Sequence, residues 1–425
     1  MNSTTSITFS RLHFEGWRQF KNVDIAIHPS ITILTGANGS GKSTILNIFS
    51  QHFGYQRPYL STPSRDAKTG GYKYFSGILN LFRRRFPEDQ QNLQQIGILE
   101  YSNSGTAKVQ VPKQETIAYQ LSLVGSQTVK GFHVPSHRRL PTYQQVANIP
   151  TQPLLPQQAY DAFNGEMTNY FSGGHSGWSS TYRIKEALLA MAVFGPGSKY
   201  IAKNDVIEKA FNGFIETLKK MMPDEVGFLD LSIRSPDVIL VTRSGDFLID
   251  AASGGLMALV DLTWQIYMFS LNNSSFVVTI DEPENHLHPS MQRSLIGNLL
   301  KTFPAVQFIV ATHSPFIVSA VKEANVYVLQ YGEQTLDDAV AQTRFVSSVQ
   351  LDNFNRAGTA SQILREVLGL PTTYPDWVIN GVNEIVGRFK GRPFDDRMLS
   401  ELRESLSQAG YSDLYPDALS AVVKS

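Results

Sequence analysis

The 425-residue chain contains no cysteine, which excludes disulfides and thiolate metal sites and fits a reducing cytoplasm. No apolar run reaches the roughly 18 residues a membrane-spanning helix needs. The most apolar stretch, 256–271, is interrupted by Asp261, Thr263 and Gln265. The opening residues, MNSTTSITFSRLHF, lack a basic start followed by an apolar block, so no secretory signal is expected. Neither an internal repeat nor a heptad run is visible, so long coiled-coil arms are not expected. Net charge is also lacking: 37 basic residues balance 37 acidic ones, which gives no global reason to expect a nucleic-acid partner. What is present is a hydrophobic fraction of 42% with 11% aromatics, enough to bury a core and to exclude global disorder.

The charge is unevenly spread. Residues 1–150 carry 16 Lys and Arg against 7 Asp and Glu, and the remainder 21 against 30. Phosphate binding, a basic strip for nucleic acid, or plain uneven distribution each accounts for this. Residues 6–35 read as strands with a turn, followed by a Gly-rich loop and an amphipathic helix ending at Gly54. Residues 55–90 read as an irregular, partly helical insertion that includes FSGILNLFRRRF, and 96–124 as hairpin strands. Helical periodicity runs through 157–222, strands follow in LDLSIRSPDVILVTRSGDFLID, and a helix spans GLMALVDLTWQIYMFSL. Two apolar strands, SFVVTI and VQFIVA, are separated by a helix, which implies a parallel sheet. The last hundred residues begin with the strand ANVYVLQY and then read as mostly helical. The expected organisation is an N-terminal part of an α/β lobe (1–150), a helical insertion (151–235), the rest of the lobe (236–330) and a helical extension (331–425).

Residues 36–43, Gly-Ala-Asn-Gly-Ser-Gly-Lys-Ser, match the P-loop pattern in full, with a strand before and a helix after. Gly36, Gly39 and Gly41 let the backbone curl so that successive N–H groups, with those of Asn38 and Ser40, face phosphate oxygens. The helix start adds its positive end. Lys42 is expected to reach the β- and γ-phosphates of ATP, Ser43 to ligate Mg2+ and Thr44 to touch the α-phosphate. Asp281-Glu282-Pro283-Glu284 ends an apolar strand. Phosphoryl transfer needs a held metal and an oriented water, so Asp281 is the expected metal ligand and Glu282 the base. His313 ends the next apolar strand, where it can sense the γ-phosphate as a catalytic group. His286 and His288, two apart in a Pro-bounded loop, are a weak metal pattern and fit a loop that touches a partner subunit.

Ser253-Gly254-Gly255 opens a long apolar helix and offers a second anion site. In their order, the motifs at 36–44, 253–255, 281–289 and 311–315 resemble those of ABC-class ATPases. They are most similar to the branch holding SMC proteins, the overcoming-lysogenization-defect family and phage-defence ATPases. The resemblance covers 6–50 and 240–330 well. It implies an α/β P-loop NTPase of the ABC-head type, with a mixed N-terminal sheet, a parallel core and a helical insertion. It further implies a head-to-head homodimer with two ATPs, in which Ser253 and its glycines complete the partner's site. Ala252 and Leu256 depart from the transporter signature. The family's Q-loop glutamine has no clear counterpart, with Gln144 and Gln145 as candidates, and Arg18 stands where some relatives aim an arginine at phosphate. No convincing Toprim acids follow residue 330, where Asp337-Asp338 and Asp395-Asp396 lack preceding strands. The expected function is a cytoplasmic, membrane-free ATPase switch for a separately encoded effector such as a nuclease, in antiphage defence. A DNA-associated, repair-like ATPase and a transporter's nucleotide subunit are the alternatives.

Overall fold

The computed structural model describes residues 6–65, 70–75, 93–113, 116–137, 142–175, 177–332, 345–352, 358–370 and 374–423. The segment FSGILNLFRRRF, apart from its first residue, and Asp337-Asp338 lie outside them. The chain forms two compact units, Met1–Ile363 and Leu364–Ser425.

The first unit is built on an 11-stranded sheet. Its parallel half runs Asn325–Gly332, Ile31–Gly36, Val306–Ala311, Phe276–Asp281 and Gly131–Val134. The three middle strands are buried at all six positions, as expected of strands covered on both faces. Register matters for function here. Leu34 pairs with Ala311 and Ala311 with Asp281, so the three strands deliver their C-terminal ends in one row. Ligands bind at such strand ends in α/β sheets.

The other half is an antiparallel meander of Phe20–Ala26, Phe9–Trp17, Leu93–Tyr101, Thr106–Pro112 and Ser122–Val124. Phe345–Gln350 joins the halves, antiparallel to Asn325–Gly332 and parallel to Phe20–Ala26. The mostly helical reading of the last hundred residues misses this strand. FVSSVQ is short and mixes apolar and polar residues on both sides, so its pairing comes from the two strands it bridges rather than from its own pattern. The stretch TIAYQLSL divides into two short strands in different sheets, Ala118–Tyr119 and Ser122–Val124.

A helical region, Pro156–Phe171, Ser180–Phe194, Asp205–Met221 and Gly254–Ser270, packs with a three-stranded sheet over 228–248. Lys185 is fully buried there; its ammonium meets Asp250 at 2.6 Å and Asp237 at 3.4 Å, and donates to the Gln144 carbonyl at 2.8 Å. In the second unit three helices, Asp376–Phe389, Asp396–Gln408 and Tyr415–Val423, close on Val382, Val386, Phe389, Leu402 and Leu406. Asp395 caps the second of these by accepting from the Met398 N–H at 2.7 Å, which gives this acid a structural task. Among the described residues no helix is long and apolar enough to cross a membrane.

Candidate functional site

Gly36, Gly39 and Gly41 have φ of 139°, 77° and 99°, and Gly41 sits at the N-cap of the helix Lys42–Ser50. A Cβ on Gly36 would lie 2.6 Å from the Leu329 carbonyl oxygen, and one on Gly41 would strike the Phe20 ring. The loop therefore needs glycine twice over, for conformation and for space. Asn38 is exposed and Ser40 fully buried, while Thr44 lies in the first helical turn, half-buried. The turn between the first two strands supports the loop, since Gln19 Nε2 donates to the Gly39 carbonyl at 2.8 Å. Its neighbour Arg18 has φ of 53° and a buried Nε with no partner among the described residues.

Lys42 folds back inside the loop. Its ammonium donates to the carbonyls of Gly36 at 3.0 Å and Ala37 at 3.2 Å and lies 3.4 Å from His313 Nδ1. Burial lowers its pKa to about 8 against the opposing pull of Asp281, Glu282 and Glu284. Asp281 is buried, and burial pushes its pKa up to about 6; the Ser43 hydroxyl bond counters this and Glu282 adds to it. Asp281 Oδ1 has no hydrogen-bond partner among the described residues. A bare buried carboxylate oxygen beside a serine hydroxyl is an all-oxygen donor set that fits Mg2+.

Glu282 turns the chain out of the strand at φ of 50°, and its N–H donates to the Ala311 carbonyl at 2.8 Å. Its Oε1 lies 3.6 Å from His313 Nε2. Burial, then Lys42, hold His313 below the usual histidine range, with Glu282 pulling the other way. The structure thus brings Lys42, Ser43, Asp281, Glu282 and His313 together. Glu284, given no role from sequence, belongs with them. Its Oε1 accepts from Thr312 Oγ1 at 2.8 Å, the His313 N–H at 2.7 Å and the Ser314 N–H at 3.2 Å. Burial raises its pKa, and hydrogen bonds from its own backbone N–H, the His313 N–H and the Thr312 hydroxyl offset part of the rise. The signal was present in the sequence as a second glutamate in an acidic turn, but only the fold shows that it faces the next strand's loop.

Ser253 caps the helix Gly254–Ser270, its Oγ accepting from the Leu256 N–H at 3.4 Å. Gly255 lies against the His286 backbone, where a Cβ would come within 2.6 Å of that carbonyl oxygen. His288 caps the following helix, Nδ1 accepting from the Ser290 N–H at 3.3 Å, and His286 has φ of 68°. Among the described residues no cluster of three or more His, Asp or Glu forms a metal cage. Of the two Q-loop candidates, Gln144 needs correction. The Gln144 amide donates to the Gly177 carbonyl at 2.8 Å and accepts from the Ser179 N–H at 2.9 Å, so it fastens the helical region, and Gln145 is exposed. Ser136 and His137 instead line a cavity of about 480 Å³ with Ser43, Asn47 and Asp281.

Fold and site define a P-loop ATPase. A family model described as "AAA domain" matches residues 11–132, and one described as "AAA domain, putative AbiEii toxin, Type IV TA system" matches 265–319. More particularly, the chain is similar to the Retron Ec83 probable ATPase of Escherichia coli, 24% identical over 404 residues, covering 76% of this chain and 71% of that protein. It is also similar to the Septu protein PtuA of Bacillus thuringiensis, 26% identical over 210 residues, covering 45% of this chain and 49% of that one. With the Retron Vc95 probable ATPase of Vibrio cholerae the identity is 26% over 138 residues, 30% of this chain and 26% of the relative. The chain thus spans most of the first relative's length and half or less of the other two. Among solved structures, the SMC head domain from Thermotoga maritima aligns with a TM-score of 0.42 at 14% identity, covering 81% of this chain and 99% of that one. The ATP-binding cassette MJ1267 of an ABC transporter aligns at 0.34 and 14%, covering 76% and 87%.

Proposed function

We propose that two copies of this chain close head to head over two ATP molecules, and that closure and hydrolysis switch a separately encoded effector in antiphage defence. The observation carrying the catalytic part is the single row of strand ends that sets Asp281 beside Ser43 and Glu282 beside His313. In this reading the P-loop amides of Gly36 to Thr44 wrap the triphosphate and Lys42 leaves its carbonyl cage for the β- and γ-phosphates. Ser43 and Asp281 hold Mg2+, which supplies charge neutralisation on the phosphates. Glu282 polarises the attacking water, and His313 reports the γ-phosphate. Ser253, Gly254 and Gly255 present free first-turn N–H groups to the partner's nucleotide, as a long helix's start does. Similarity to retron and Septu proteins favours the defence role and an effector partner.

The shared site is tested by mixing. Lys42→Ala and Ser253→Arg proteins, each inactive alone, regain turnover together if one chain's P-loop works against the other's signature helix. A monomer hydrolysing at the full rate under saturating ATP would overturn the dimer. Glu282→Gln is expected to trap a nucleotide-bound dimer, read by light scattering. For the effector, the neighbouring gene product is expected to co-purify, and phage resistance to require both genes; nuclease activity abolished by mutating this chain's own acids would refute it. A second reading, a DNA-stimulated repair-like ATPase, has the basic balance of residues 1–150 in its favour. Salt-dependent DNA binding with stimulated hydrolysis would establish it.

A further inference from the structure

We infer that Asn285 is a positioning residue for Glu282, tying its carboxylate to the backbone of the loop that follows the sheet-edge strand Gly131–Val134. Asn285 Nδ2 donates to Glu282 Oε2 at 3.0 Å and to the Ser136 carbonyl at 3.1 Å. Both acceptors are oxygens without hydrogen to give, so the amide can face them only through its nitrogen, and both of that nitrogen's hydrogens are used. The Asn285 N–H also donates to the Glu282 carbonyl at 3.2 Å, which closes the turn and brings the two side chains to one side.

Each end of this bridge is set by the sheet. Val134 pairs with Ile280, so Ser136 emerges beside the acidic strand's own exit. Glu282 needs a tether for a physical reason. Its backbone sits at φ of 50°, which disfavours any non-glycine residue, and its side chain is 32% exposed, too open for packing to fix it. With Oε1 facing His313 and Oε2 held by Asn285, the carboxylate plane is defined before nucleotide arrives. Asparagine suits the task in a way its neighbours in size do not. Aspartate would set one carboxylate against another, and alanine would leave Oε2 without this donor.

The inference rests on the reading of Glu282 as the base. A positioned base is worth roughly 10²- to 10⁴-fold in rate, and misplacement by about 1 Å is enough to forfeit much of it. The test is steady-state ATPase of the full chain carrying Asn285→Ala or Asn285→Asp, alone and with Glu282→Gln, with folding checked by thermal melts. Asn285→Ala is expected to lower kcat by at least about tenfold while KM for ATP stays within about threefold, and Asn285→Asp to lower it further. In the Glu282→Gln background, Asn285→Ala is expected to change the residual rate by less than about twofold, because there is no base left to aim. Unchanged kcat in Asn285→Ala, where Glu282→Gln is inactive, would overturn the positioning role. An equal loss in both backgrounds would do so too, by making Asn285 a support of the fold. Full turnover by Glu282→Gln alone would remove the base assignment, and this inference with it.

Discussion

Replacing Lys42 by methionine separates what the lysine does for nucleotide from what it costs the empty protein. The residue is 5% exposed, and burial lowers its pKa from 10.5 to about 8. For a cation, a folded value below the unfolded one means that the folded state holds the proton less tightly. At pH 7 both states are protonated and the penalty is present in full; it fades as pH rises from about 8 towards 10.5. At about 1.4 kcal/mol per pH unit its upper bound is about 3 kcal/mol. Methionine keeps the apolar stem and removes the charge, but leaves the Gly36 and Ala37 carbonyls without this donor, a loss of about 1–2 kcal/mol. The nucleotide-free variant should therefore melt at the wild-type temperature or a few degrees above it at pH 7, and the gap should close by about pH 10 as the lysine of the wild type becomes neutral. Magnesium-ATP at 100 times Kd stabilises a competent protein by about 2.7 kcal/mol, and Lys42→Met should lose that shift. Scanning fluorimetry with and without ATP reads all three quantities. A nucleotide-free variant melting several degrees lower would show that Lys42 is a pillar of the empty loop, and an undiminished ATP shift would remove it from the phosphate site.

Two further substitutions test the frame around the site. Gly41→Ala places a methyl group into the Phe20 ring at φ of 99°; calorimetry should show nucleotide binding lost, with stability lower by about 1–3 kcal/mol. Unimpaired binding would mean that the loop has another bound conformation. Glu284→Ala strips a shared acceptor from Thr312, His313 and Ser314, so the melting temperature and kcat should fall together while KM for ATP moves little. A changed KM with unchanged kcat would place Glu284 in nucleotide binding instead.

The sequence made the P-loop and the three buried strands legible because their signals are local: a dense glycine spacing and runs of apolar, β-branched residues. Asp281 and Glu282 were legible as acids at a strand end. The division of labour among the acids was not, since it depends on which neighbouring strand each faces. Glu284 is a buried acceptor only because Ala311 pairs with Asp281 and brings Thr312 alongside. Asn285 acquires its partner through Val134, 146 positions before Ile280. Gln144 failed as a Q-loop candidate for the same reason, because position along the chain did not reveal that its amide turns to the helical region. Phe345–Gln350 has almost no strand signal of its own and exists because two other strands leave their edges open to it.

Three carboxyls within four residues, facing one buried ammonium, leave the empty site with an excess of negative charge. The structure distributes that charge unequally. Glu284 Oε1 accepts from three donors, and Glu282 Oε2 is held by Asn285. Glu284 keeps a bare buried oxygen too, Oε2, but its neighbouring hydroxyl, Thr312, belongs to the next strand's loop. Asp281 sets a buried oxygen that has no partner among the described residues beside Ser43 of the P-loop, and burial raises its pKa, with Ser43 and Lys42 opposing and Glu282 and Glu284 adding to the rise. A divalent cation should therefore stabilise the protein even without nucleotide, and through Asp281 rather than its neighbours. Millimolar MgCl2, against an NaCl control of equal ionic strength, should raise the melting temperature of the wild type and of Glu282→Gln. Asp281→Asn should abolish the shift while itself melting no lower than the metal-free wild type, because it removes a buried charge. If the magnesium shift survived in Asp281→Asn and vanished in Glu282→Gln, the ligand would be Glu282, and the roles of these two adjacent acids would have to be exchanged.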